Sequence, residues 1–83
     1  MDTSLKKLGE LECGDQGLIV RVGGPEEVLR RFLEMGFVEG NEVTVLHEAP
    51  FGGDPIAVKV RGALIALRRQ EANFIEVKLE DFV

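Results

Sequence analysis

The shortness of every apolar run limits this chain more than any other feature. The longest, Ala63-Leu64-Ile65-Ala66-Leu67, starts directly after Gly62 and ends at Arg68. Two other runs alternate strictly. Ile56, Val58 and Val60 interleave with Ala57, Lys59 and Arg61, and Ile75, Val77 and Leu79 interleave with Glu76 and Lys78. A period of two gives a strand one face for a core and one for water, whereas a continuous apolar run predicts a strand covered on both sides. Pieces this short, separated by glycine and proline, cannot build a helical bundle. None approaches the roughly 20 apolar residues that a membrane-crossing helix needs.

Around these runs the remaining elements can be placed. Leu5, Leu8 and Leu11 recur at intervals of three, but Gly9 and Gly14 interrupt. The arm is therefore expected to be irregular, or one helical turn, with its leucines over an open end of the core. Gln16–Val22 reads as the first strand, with Leu18, Val20 and Val22 sharing a face. Gly23-Gly24-Pro25-Glu26-Glu27 then predicts entry into a helix, with Pro25 at its first position and two glutamates at the positive end of the helix dipole. Val28, Leu29, Phe32 and Met35 form its apolar stripe.

Gly36 is expected to end that helix in a left-handed conformation, with Phe37 folding back on Phe32. A strand from Glu42 to His47 follows the Gly40-Asn41 turn. Ala49 to Pro55 is a loop, three strands come next, and a helical bend at Gln70-Glu71-Ala72-Asn73 precedes the last of them. The expected architecture is mostly β (α+β): a small barrel of about five strands with one inserted α-helix, SH3-like in first place and OB-like in second. Residues 1–83 show no internal repeat or change of composition and read as a single domain.

Several function classes fall away on this sequence. Fifteen acidic against ten basic residues leave a net charge of −5, which repels a phosphate backbone, and no aromatic stripe is available for base stacking. Nucleic acid is therefore excluded as the expected partner. His47 is the only histidine, Ser4 lies in the N-terminal tail, and no Gly-x4-Gly-Lys-(Ser/Thr) string is present, so no enzyme is expected. Met1 to Lys7 lead into no apolar segment, and a lone cysteine suits a reducing compartment, so the cytoplasm is the expected location.

The sequence also matches a known pattern from about Leu8 to Val77. Leu8-x-x-Leu11 precedes Gly14-Asp15-Gln16-Gly17-Leu18-Ile19. Arg30-Arg31-Phe32-Leu33-Glu34-Met35-Gly36-Phe37-Val38-Glu39-Gly40 follows, then Pro50-Phe51-Gly52-Gly53-Asp54-Pro55-Ile56-Ala57-Val58, and finally Gly62, Ile65-Ala66-Leu67-Arg68, Glu71-Ala72 and Ile75-x-Val77. In these stretches the chain resembles the ferrous iron transport protein A (FeoA) family. It departs at Phe32, where an aliphatic residue is commoner, and at Glu39, where proline is frequent.

The resemblance implies an SH3-like barrel that assists ferrous iron uptake at the cytoplasmic region of a FeoB-type membrane transporter. A second expectation is a divalent-metal sensor or carrier related to the SH3-like domain of metal-dependent repressors. For partner contact the candidates are Arg31, Met35, Phe37 and Val38, because apolar side chains beside arginine at a helix end resemble interface anchors. Cys13, His47, Glu48 and Asp54 are weak metal candidates, since their residue types suit a transition metal but their spacing matches no defined site. His47 shares a predicted strand face with Val43 and Val45 and is expected to be partly covered at the barrel rim, and Cys13 to be half-buried. No cofactor is expected beyond a weakly held divalent ion, and self-association is left open.

Overall fold

The computed structural model describes residues 5–79 of the chain; the tail that carries Ser4 and the start of the expected signal-free segment lies outside them. The strands are β1 (Leu5–Lys7), β2 (Gln16–Val22), β3 (Glu42–Glu48), β4 (Ile56–Val60), β5 (Ala63–Leu67) and β6 (Ile75–Leu79). Between them sit α1 (Glu26–Met35), α2 (Arg69–Ala72) and a 3-10 turn at Leu8–Glu10. All pairings are antiparallel, in the order β1-β6-β2-β3-β4-β5. The expected β-rich architecture with one inserted helix is present, with a sixth strand.

That sixth strand corrects the reading of the N-terminal arm. Residues Leu5–Lys7 pair with Glu76–Lys78 of β6, so the arm begins as an edge strand before tightening into the 3-10 turn. Leu8 and Leu11 are fully buried, as expected of residues that close the core, but Leu5 is exposed. The 3-10 turn packs directly on α2. A Cβ at Gly9 would collide with the Arg69 carbonyl oxygen and the Asn73 side chain, so only glycine permits this approach.

The helix follows the sequence closely. Pro25 caps it one residue before the expected position, and Leu29 N–H donates to the Pro25 carbonyl at 2.8 Å. Gly36 takes φ 104°, Gly36 N–H donates to Leu33 O at 3.2 Å, and Phe37 N–H donates to Phe32 O at 3.0 Å. These are the two bonds of a Schellman cap. Asn41 Nδ2 adds a third contact, donating to the Gly36 carbonyl at 2.8 Å. Phe32 and Phe37 are both fully buried and meet edge to face at 5.6 Å. Burial contributes about 2–3 kcal/mol for each ring and the pairing about 1 kcal/mol more.

Two β-bulges overturn predictions made from strict alternation. The β2–β6 register shifts between Ile19 and Arg21, so Ile19 and Val22 face Val77 and Ile75 of the core while Leu18 is exposed. Leu18, Val20 and Val22 therefore do not share an inward face: an extra residue reverses the alternation. The β3–β4 register shifts between Val45 and His47, which pairs His47 with Ala57 and takes it off the face of buried Val43 and Val45. His47 is exposed as a result, not partly covered.

The run Ala63–Leu67 is corrected as well. It is the outer strand of the sheet, covered on one side at most: Ile65 is half-buried against the core and Leu67 is buried, while Leu64 on the other face is 63% exposed. Its exposure follows from its place at the end of the sheet order, which local pattern does not encode.

Candidate partner-binding surface

The proposed contact residues occupy the end of α1 in different ways. Arg31 is exposed, and its guanidinium pairs with Glu71 at 2.9 Å. Met35 is half-buried and packs against the core cluster, and Val38 is half-buried on the turn that follows Gly36. Phe37 is corrected: the cap directs its ring inward, so it supports the surface from beneath and is not presented to a partner.

The structure adds residues that the sequence reading did not single out. A shallow groove between α1 and β2 is lined by Val22, Leu29 and Leu33, with Arg21 and Glu39 at its rim. Leu33 is 45% exposed. Its place on the helix was a legible signal, because it lies well off the stripe centred on Phe32. Leu29, counted within the stripe, is only half-buried, since it stands at the stripe's edge one turn before Leu33.

A second protruding feature is the loop between β3 and β4. Phe51 is 102% exposed at its tip, with φ 60°. The base of the loop is braced: Ala49 N–H donates to Pro55 O at 3.0 Å, and Asp54 Oδ1 accepts the Arg69 N–H at 2.9 Å. An aromatic side chain flanked by proline and two glycines has no strand to carry it into a core, which is the sequence signal for its exposure.

Arg69 holds these parts together. Its guanidinium donates to the carbonyls of Gly9 at 2.9 Å, Leu11 at 2.8 Å and Gly53 at 2.7 Å, and pairs with Glu48 at 3.2 Å. Glu48 also accepts the Cys13 N–H at 3.0 Å, while Cys13 Sγ donates to Leu46 O at 3.0 Å. One planar cation thus joins the N-terminal arm, the end of β3 and the Phe51 loop, using the fork geometry that a lysine lacks.

This arrangement bears on the metal candidates. Glu48 and Asp54 are linked through Arg69, and Cys13 meets Glu48 through its backbone N–H, but Cys13 is exposed and not half-buried, and both carboxylates are engaged by N–H donors. Among the described residues, no three His, Cys, Asp or Glu side chains are grouped to hold an ion. The Arg69 guanidinium neutralises Glu48, and the Arg69 backbone N–H occupies Asp54 Oδ1.

A profile of the FeoA domain family matches residues 6–79. The chain is 45% identical over 73 residues to the Fe(2+) transport protein A/Fe(2+) transporter FeoB fusion protein of Porphyromonas gingivalis, an alignment spanning 88% of this chain and 8% of that much longer protein. Among solved structures, the FeoA protein of Chlorobium tepidum superposes with a TM-score of 0.81 at 40% identity, covering 89% of this chain and 70% of that one. The FeoA of Stenotrophomonas maltophilia, described as an SH3 domain protein and solved with zinc, superposes with a TM-score of 0.73 at 32% identity, covering 88% and 87%. SH3-like, not OB-like, is therefore the fold, and no helix among the described residues is long and apolar enough to cross a membrane. With the family pattern matched along nearly its whole length and the same sheet and helix in place, the chain belongs to the FeoA domain family.

Proposed function

We propose that this chain is a non-catalytic accessory of ferrous iron uptake that docks, from the cytoplasm, on the cytoplasmic region of a FeoB-type transporter. The observation that carries the reading is the relative in which a segment 45% identical to this chain is continuous with a FeoB transporter. Covalent linkage holds two partners at high effective concentration, and such fusions favour pairs that already work together. The family itself is a small transport-associated domain and not a known enzyme family.

The docking surface of this proposal is the groove side of α1, where Leu33 lies with Leu29 and Val22 between Arg21 and Glu39, together with half-buried Val38 on the turn after the helix; Arg31 and Met35 stand about half a turn round the helix from Leu33 and flank it across the buried Phe32. Exposed leucine beside half-buried apolar side chains, with arginines at the rim, has the composition of an interface centre. The Arg31–Glu71 pair is exposed on both sides and is worth at most about 1 kcal/mol, so it can open when a partner competes.

Binding of the purified chain to the cytoplasmic region of a FeoB-type transporter tests this directly. Leu33→Asp and Val38→Asp should each weaken it by about 1–3 kcal/mol, because each buries an unpaired charge. Both variants should melt close to the parent. Unchanged affinity in both would remove this surface from the interface, and loss on Phe51→Ser instead would assign docking to the loop.

A further inference from the structure

We propose that the free edge of β5 accepts an extended segment of another protein, apolar at alternate positions and carrying carboxylates at both ends, which joins the sheet as an added strand. This rests on none of the residues used for transporter docking. It begins with the backbone. Arg61 and Gly62 form a two-residue turn with φ 51° and 81°, and Val60 pairs with Ala63 across it. In such a turn the Val60 carbonyl accepts the Ala63 N–H. Antiparallel pairs then alternate, so Ala63, Ile65 and Leu67 bond inward to β4, and Leu64 and Ala66 direct their N–H and C=O groups outward. Among the described residues, neither Leu64 nor Ala66 has a backbone bond outside the β4–β5 ladder.

Edges of this kind usually carry a device that prevents pairing: lysine, proline or a bulge. The opposite edge conforms, since β1 carries Lys6 and Lys7. Ala63–Leu67 has no charge and no proline, and its register with β4 runs without a shift. Leu64 adds an exposed apolar side chain beside these outward backbone groups. The edge is thus shaped for strand addition, in which backbone bonds give affinity and alternate side chains give selectivity.

Charge selects the occupant. Residues 56–69 contain Lys59, Arg61, Arg68 and Arg69 and no acidic residue, in a chain whose net charge is −5. Arg69 is consumed internally. Lys59, Arg61 and Arg68 are exposed and form no ion pair among the described residues. Arg61 stands at one end of β5 and Arg68 at the other. A second copy fits poorly: antiparallel self-pairing through Leu64 and Ala66 brings the Arg61 end of one copy to the Arg68–Arg69 end of the other, and parallel pairing brings each basic end to itself, so like charges gather either way. A strand bearing aspartate or glutamate at both ends replaces this repulsion with attraction.

The test uses the full chain, isotope-labelled, and a synthetic peptide with a Val-Thr-Val-Thr-Val centre flanked on each side by two aspartates; its control carries lysines in their place. The aspartate peptide should shift the amides of residues 63–67 and slow hydrogen exchange at Leu64 and Ala66. The lysine peptide and the Arg68→Glu variant should each bind about 3- to 10-fold more weakly. Ala66→Pro removes an outward N–H without touching the β4 ladder and should abolish binding while the chain stays folded. Leu64→Lys, which restores an edge lysine, gives the same readout should the proline variant not fold. Equal binding of both peptides, no binding at millimolar peptide, or shifts confined to β1 or the α1 groove would overturn the proposal. Protection of Leu64 and Ala66 by concentration-dependent self-association would overturn it in favour of a second copy.

Discussion

Replacing Arg69 by alanine removes one side chain but unties three segments. The guanidinium makes three hydrogen bonds to backbone carbonyls between 2.7 and 2.9 Å, plus the Glu48 contact, and the side chain is 24% exposed. A charged donor to a neutral acceptor is worth about 1.5–3 kcal/mol when well buried. These bonds are only partly buried, and water entering the space left by the side chain would offset part of their loss, so the whole set should be worth about 2–4 kcal/mol, well below the simple sum. For a domain of this size that corresponds to a fall in Tm of roughly 10–25 °C. Chemical denaturation monitored by circular dichroism gives the free energy. Arg69→Lys should recover less than half of the loss, because one ammonium cannot serve three carbonyls that a planar fork reaches together. Hydrogen exchange adds a spatial readout, since amides near Gly9 and Gly53 should exchange faster in the alanine variant while those of β2 and β6 change least. A loss below about 0.5 kcal/mol, or full rescue by lysine, would refute the claim that this guanidinium ties the arm to the loop.

Gly36→Val should lower stability by about 1–2 kcal/mol or more, since it forces a β-branched residue to φ 104°; an unchanged melting temperature would show that the cap is dispensable. Arg61→Asn should stabilise by about 0.5–1 kcal/mol, because asparagine accepts the left-handed conformation that Arg61 holds at φ 51°; a loss of stability in thermal melts would mean that the arginine side chain supports the turn. Anaerobic titration of the isolated chain with ferrous ion should reveal no micromolar site, since Glu48 and Asp54 are already engaged by Arg69 and Cys13. A stoichiometric site lost in His47→Ala would contradict this and favour a metal-carrying role.

How the site came to be legible differs from residue to residue. Local chemistry set the helix and its stop: two glutamates after a proline, an apolar stripe, and a glycine followed by phenylalanine define α1 and the Phe32–Phe37 contact without reference to the rest of the chain. The alternating residues of β4 and β6 likewise fixed which of their faces is buried. The family pattern was equally a property of sequence, because its glycines, prolines and apolar positions can be read one by one.

Only the assembled sheet decided the rest. Bulges at Ile19/Arg21 and Val45/His47 reversed the side of the sheet on which later residues fall, and nothing in a strand's own alternation marks where an extra residue will be accommodated. The exposure of Leu64 depends on β5 being last in the strand order, a long-range fact about which strands pair. Arg69 gathers Gly9, Leu11, Glu48 and Gly53 from up to 60 positions away in the chain, and a solvated arginine and a half-buried staple look alike until the fold brings their partners to them. Short-range sterics and capping act within a few residues, and so sequence alone determined them. Strand order, bulges and the Arg69 cluster arise from contacts between distant segments, whose geometry exists only once the chain has folded.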